Sequence, residues 1–152
     1  MERIKSFEID HNNLEPGFYI SRQDGDVITY DLRTRKPNQG DYMTNLTMHS
    51  VEHMFATFAR NSKVSEQVVY FGPMGCQTGF YFLVKDLAPA EVFALTKEIL
   101  EQIVNHEGDM FGASAIECGN YRNLDLAEAK KECKYYLEIL EKQTNLEFTY
   151  PE

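Results

Sequence analysis

Apolar positions recur along the chain at two spacings, and the changes between them outline its elements. From Gly17 to Arg35, Phe18, Ile20, Val27 and Ile28 flank Asp24-Gly25, which predicts two strands joined by a tight turn. Between Met43 and Arg60 the spacing becomes helical, with Leu46, Val51, Met54, Phe55 and Phe58 able to share one broad apolar face. A strand is expected over Glu66 to Phe71, closed by Gly72-Pro73, and another over Phe80 to Val84 after the turn from Gly75 to Gly79. Pro89 opens a second helix at a position where its missing N–H matters little. Val92, Phe93, Ile99, Leu100 and Ile103 supply its buried side, and Gly108 is expected to end it. A last helix starts at Asp125, with Glu128 as capping-box partner, and runs through Leu126, Ala129, Cys133, Tyr136, Leu137 and Leu140. Strands come first and helices intersperse without regular alternation. The expected fold is therefore α+β, one domain over residues 1–152, with a mostly antiparallel sheet packed against helices.

Composition narrows the function classes. At 152 residues, 43% hydrophobic and 26% charged, the chain can bury a core without disulfide staples. No window reaches the roughly 18 consecutive apolar residues of a membrane span, and the start Met1-Glu2-Arg3-Ile4-Lys5 does not read as a secretory signal. A cytoplasmic protein is expected. The net charge of −9 lacks the basic footprint that nucleic acid requires. The one local excess of positive charge, Arg33-Thr34-Arg35-Lys36, reads equally as a solvated turn or as a holder of an anionic group. Three cysteines, Cys76, Cys118 and Cys133, point away from a disulfide framework and toward metal or catalytic thiols.

The chemistry concentrates in two places. In His49-Ser50-Val51-Glu52-His53 a spacing of four puts both imidazoles on one helix face, where they can share a divalent ion, with Glu52 at the edge of that face. The pattern is the His-x-x-Glu-His of inverted zinc peptidases; its plainer reading is polar surface. Cys118, in the loop before the last helix, can add a thiolate. Two histidines and one cysteine leave a fourth position open, as catalytic sites do, and suit zinc, iron(II) or cobalt(II) alike. His11 and His106 are spare donors, the latter expected to cap helix carbonyls. The second place is Pro73-Met74-Gly75-Cys76-Gln77-Thr78-Gly79, a stiff turn able to present the Cys76 thiol at a sheet end. Its plainer reading is a small buried cysteine in a hairpin. Cys133 falls in an apolar stripe and is expected in the core.

Five segments in order carry a family resemblance: Ser6-Phe7-Glu8-Ile9-Asp10-His11; Asp31-Leu32-Arg33 with Pro37-Asn38; Thr47 to His53; Gly72 to Tyr81; and Glu117-Cys118-Gly119-Asn120-Tyr121-Arg122. Together they resemble the S-ribosylhomocysteine lyase (LuxS) family over nearly the whole chain. The resemblance implies a LuxS/metallohydrolase-like fold and a carbon–sulfur lyase that releases homocysteine and dihydroxypentanedione, the autoinducer-2 precursor of quorum sensing, within the methyl cycle. It implies one divalent metal per subunit, iron(II) with zinc or cobalt as substitutes, held by His49, His53 and Cys118. Cys76 and Glu52 would be the acid/base residues, Ser6, His11 and Arg33 the substrate-binding ones, and the sites would lie at a homodimer interface. One departure is Tyr70, where some members carry a substrate-contacting aspartate. Two other readings of the residues remain: a small metallopeptidase using Glu52 as base with Glu117 in place of Cys118, and a non-catalytic metal-stabilised module, whose site should be closed by four protein ligands.

Overall fold

A computed structural model describes residues 1–152. Four strands, β1 (Gly17–Asp24), β2 (Val27–Arg33), β3 (Val68–Pro73) and β4 (Gly79–Lys85), form one antiparallel sheet in the order β1-β2-β4-β3. Three 16-residue helices follow the pattern the apolar spacing predicts: α2 (Asn45–Arg60), α3 (Pro89–Val104) and α4 (Leu126–Glu141). A four-residue helix α1 (Lys5–Glu8), which periodicity did not reveal, precedes them. The expected α+β architecture is the one observed.

Side-chain alternation divides the sheet into two faces. Phe18, Tyr30, Leu32, Phe71, Phe80, Phe82 and Val84 point to one side and join Val51, Met54, Phe55, Val92, Ile99, Leu100, Cys133 and Tyr136 from the three long helices in one core. Phe55 and Phe71 stack at 4.0 Å between centroids, locking α2 onto β3. The cross-strand row Tyr19–Asp31–Tyr81–Gly72 faces the other way, where no long helix covers the sheet. Both edge strands carry bulges, between Ile20 and Arg22 and between Val68 and Tyr70, which blunt the edges against further pairing.

Helix ends depart from expectation in two places. Helix α3 closes at Asn105, whose N–H donates to the Glu101 carbonyl, so the chain has left the helix before Gly108. At α4, Asp125 accepts from the N–H groups of Ala127 and Glu128 as a helix cap should. The reciprocal half of the box is replaced, because the Asp125 N–H donates to the Ser50 hydroxyl at 2.8 Å. That bond ties α4 to the helix bearing His49 and His53.

The basic stretch is not a solvated turn. Arg33 is 2% exposed and pairs with Asp31, while Arg35 donates to Glu132 at 2.6 Å and lies over the Tyr135 ring. Lys36 pairs with Glu15. The anions held are the chain's own carboxylates, and the Arg35–Glu132 pair pins the β2–α2 connection to α4.

Two stability outcomes follow. Asp125→Ala should lower unfolding free energy by about 1 kcal/mol in urea titrations, the usual worth of a helix cap. Burial raises the Glu132 carboxyl above its ordinary value despite the attraction of Arg35. A raised folded-state carboxyl favours the fold when protonated, so this contribution declines as pH climbs from about 4.3 through the raised value. The stability of Glu132→Gln relative to wild type should therefore increase over that window; a pH-independent difference would refute the assignment.

Candidate metal centre

Helix α2 starts at Thr44, whose hydroxyl accepts from the Thr47 N–H, and buries Thr47, Met48, Val51, Met54 and Phe55. Its opposite edge carries His49, Glu52 and His53, all half-buried. The imidazole rings lie 4.6 Å apart at 86°. Each Nδ1 is engaged by a backbone carbonyl of the segment between α3 and α4: His49 by Asn123 at 2.8 Å and His53 by Phe111 at 2.9 Å. A carbonyl can only accept, so both Nδ1 atoms carry the proton and both Nε2 lone pairs are free to ligate.

The same segment delivers Cys118, whose Sγ lies 3.4 Å from His49 Nε2 and accepts from the Asn120 N–H. Ligand atoms of His49, His53 and Cys118 lie within 4.8 Å of one another, and no fourth His, Cys, Asp or Glu joins the group. Two neutral imidazoles and a thiolate at this spacing suit a four-coordinate divalent ion with bond lengths of about 2.0–2.3 Å. Gly112, with φ +68°, passes so close beneath His53 that a Cβ would stand 2.9 Å from Nδ1. Glu117 accepts from the Ser114 hydroxyl at 2.6 Å and stays outside the cluster, which removes the donor a peptidase site would need.

The other candidate histidines stand apart. His11 Nδ1 meets the Ile9 carbonyl at 2.9 Å. The His106 ring caps no helix carbonyl, although its backbone N–H donates to the Ile103 carbonyl at 3.2 Å. The ring packs against Phe58 and Phe111 while Nε2 reaches the Asp109 carbonyl, because the chain turns back toward α2 once α3 has ended.

Cys76 is exposed at the tip of the β3–β4 turn, whereas Cys133 is 1% exposed within the core, where burial pushes its thiol well up. Gln77, with φ +67°, lets the turn close, and its side-chain amide donates to the Met43 carbonyl. Behind the thiol, the Thr78 hydroxyl lies 3.0 Å from Sγ and accepts from Arg33 Nη1 at 2.7 Å, with Nη1 itself 3.9 Å from Sγ. Arg33 donates its other nitrogens to both oxygens of Asp31. Burial opposes the Arg33 charge, yet Asp31 outweighs it and the guanidinium is held charged.

Ser6 lines a different cavity, about 430 Å³, on the open sheet face with Ile4, Arg22, Asp24, Tyr70 and Tyr81. Tyr70 folds across Gly72, where a Cβ would fall 2.5 Å from the ring carbon Cζ. Within one chain, no hydrogen bond links Ser6 or His11 to the His49–His53–Cys118 group or to Cys76.

Fold and donor set describe a class of small α+β proteins with an imidazole–thiolate group that could hold a metal and would leave it one protein ligand short of closure. Residues 4–147 match the family model described as S-ribosylhomocysteinase (LuxS). Proteins named S-ribosylhomocysteine lyase from Desulfotalea psychrophila and Finegoldia magna are each 43% identical, covering 99% and 100% of both chains respectively. One of that name from Clostridium acetobutylicum is 39% identical over 100% of both. The chain belongs to the LuxS family.

Metal binding is open to direct measurement. Cobalt(II)-loaded protein should show a sulfur-to-metal charge-transfer band that Cys118→Ser abolishes and Cys133→Ser leaves intact. An unchanged band in Cys118→Ser would remove Cys118 from the donor set.

Proposed function

We propose that the chain is an S-ribosylhomocysteine lyase, a carbon–sulfur lyase that releases homocysteine from a ribose derivative and leaves dihydroxypentanedione, the precursor of autoinducer-2. The observation that carries this reading is the convergence of His49, His53 and Cys118, from a helix and a distant loop, into one group of ligand atoms within 4.8 Å. Family membership over residues 4–147 supplies the substrate class.

The ribose is joined through C5 to the homocysteine sulfur. Breaking that bond by elimination needs an acidic proton at C4, and a carbonyl at C1 is too distant to acidify it. The carbonyl must first move to C2 and then to C3 by successive enediol isomerisations. His49, His53 and Cys118 would hold the divalent ion, which when bound supplies Lewis acidity to the sugar oxygens. Cys76 is the carbon base. With Arg33 Nη1 3.9 Å and the Thr78 hydroxyl 3.0 Å from its sulfur, it withdraws a proton from one carbon and returns it to the next. Glu52, half-buried on the ligand helix, carries protons between oxygens. In the last step Glu52 takes the C4 proton, the C4–C5 double bond forms as the C5–S pair leaves with sulfur, and Glu52 passes that proton to the sulfur. The C4 enol then shifts its hydroxyl proton to C5, which gives the methyl ketone of dihydroxypentanedione.

Iron(II) is the metal we favour, with zinc and cobalt as substitutes of similar ligand preference. Ser6, His11 and Arg33 bind substrate, Arg33 acting from behind Cys76. A homodimer that completes each site at its interface accounts for the separation of Ser6 and His11 from the donor group. The open sheet face and the exposed side chains of Ile4, Phe7 and Tyr70 support that assembly. The chain acts as one catalytic domain over residues 1–152, consistent with its 24-residue core cluster. Its three free cysteines fit the reducing cytoplasm, and no helix is long and apolar enough to cross a membrane.

Anaerobic addition of S-ribosylhomocysteine should release free thiol, read with a chromogenic disulfide reagent; no release from metal-loaded protein would end the proposal. Cys76→Ala and Glu52→Ala should keep their metal and lose at least about 100-fold in turnover. In air the iron form should inactivate faster than a cobalt-substituted form; equal decay would count against iron.

A further inference from the structure

We propose that Tyr150, in the segment after α4, is a positioning residue for Cys76 that acts through the buried Asp31–Arg33 pair. This rests on the role of Cys76 as carbon base.

The segment is tied down rather than trailing. The Ile20 N–H donates to the Phe148 carbonyl at 2.8 Å, and the Phe148 ring packs into the core against Phe18 and Phe93. Two residues on, the Tyr150 ring stacks on Tyr19 at 5.1 Å and 26°, and its hydroxyl donates to Asp31 Oδ2 at 2.8 Å. Asp31 is 0% exposed. Its Oδ1 accepts from Arg33 Nε at 3.1 Å, and its Oδ2 accepts from Arg33 Nη2 at 2.7 Å as well as from Tyr150. The one guanidinium arm that Asp31 does not take, Nη1, serves Thr78 and Cys76. An unbroken line of contacts thus runs from Tyr150 to the thiol.

A carboxylate bound only to Arg33 would concentrate its charge on that cation and weaken the field Arg33 exerts on sulfur. A phenol donor on Oδ2 draws part of the carboxylate charge away and holds the carboxylate plane that orients the guanidinium. The remaining titratable groups facing the pair are phenols: Tyr19 from β1, Tyr81 from β4 and Tyr136 from α4. Burial first, and then Asp31, raises all three above the ordinary tyrosine value. They stay neutral at working pH, so Asp31 and Arg33 are the charged groups that bear on the Cys76 sulfur. Burial and Asp31 raise Tyr150 as well, so its hydroxyl remains a donor.

The test compares wild type, Tyr150→Phe and Tyr19→Phe. Both variants keep their rings and the stack, but the Tyr19 hydroxyl donates to the Glu15 carbonyl at 2.7 Å and not to Asp31. Alkylation of Cys76 by iodoacetamide is followed against pH, with each cysteine read separately by mass spectrometry. Tyr150→Phe should raise the Cys76 midpoint by about half a pH unit, while Tyr19→Phe leaves it in place. The acid limb of kcat/KM for homocysteine release should move up by the same amount. Coincident midpoints for Tyr150→Phe and wild type, or an equal displacement in Tyr19→Phe, would overturn the proposal. Absence of thiol release from wild type would instead strike the lyase reading and leave the alkylation result standing.

Discussion

The Nδ1 protons of His49 and His53 each belong to a hydrogen bond with a backbone carbonyl, and the organisation of the centre depends on that pair of bonds. They fix the tautomer and aim of both rings. They also bind the segment between α3 and α4 to the face of α2, bringing Cys118 to the imidazoles. A loop without regular structure is thereby placed by the side chains it serves. Ser50 contributes from the same helix, donating to the Leu46 carbonyl while accepting from Asp125 at the start of α4. The helix is braced at its core side by Phe55 on Phe71 and at its polar edge by the loop.

The thiol is organised by different means. Cys76 stands on a turn whose conformation is set by Gln77 at positive φ, and its support comes from strand β2 through Arg33. Arg33 is almost wholly buried, which excludes a loose role as a surface cation. Its charge is acceptable inside the protein because Asp31 matches it on two nitrogens. The two halves of the candidate site therefore hang on separate frameworks, the imidazole pair on a helix and the Cys76 thiol on the sheet.

What the sequence disclosed was local. An i, i+4 histidine pair on an amphipathic helix, a Gly-rich turn around a cysteine and alternating strands are patterns within a few residues of one another. They took the expected form except at β3, which starts at Val68 after a 3-10 turn over Ser65–Gln67 and carries Gly72-Pro73 within it rather than ending before them. The burial of Cys133 followed from its place in an apolar stripe. Contacts between distant segments were not legible. Nothing near Arg35 announces Glu132, 97 positions away, so a part-buried ion pair read equally as a solvated turn or as a holder of some anionic group. His106 sits one residue past the C-cap of α3, where capping is the usual expectation, but the chain's return to α2 gives its ring Phe58 and Phe111 as neighbours. Helix α1 is too short for periodicity to register.

Tyr70 lying across Gly72 bears on how such a sheet face can change through time. A side chain added at position 72 would meet the outer end of the Tyr70 ring, which is half exposed and can swing toward solvent, so the two positions are coupled only weakly. Either residue can therefore change first, and filling position 72 would cost the resting place of the Tyr70 ring on the open face rather than the fold beneath it.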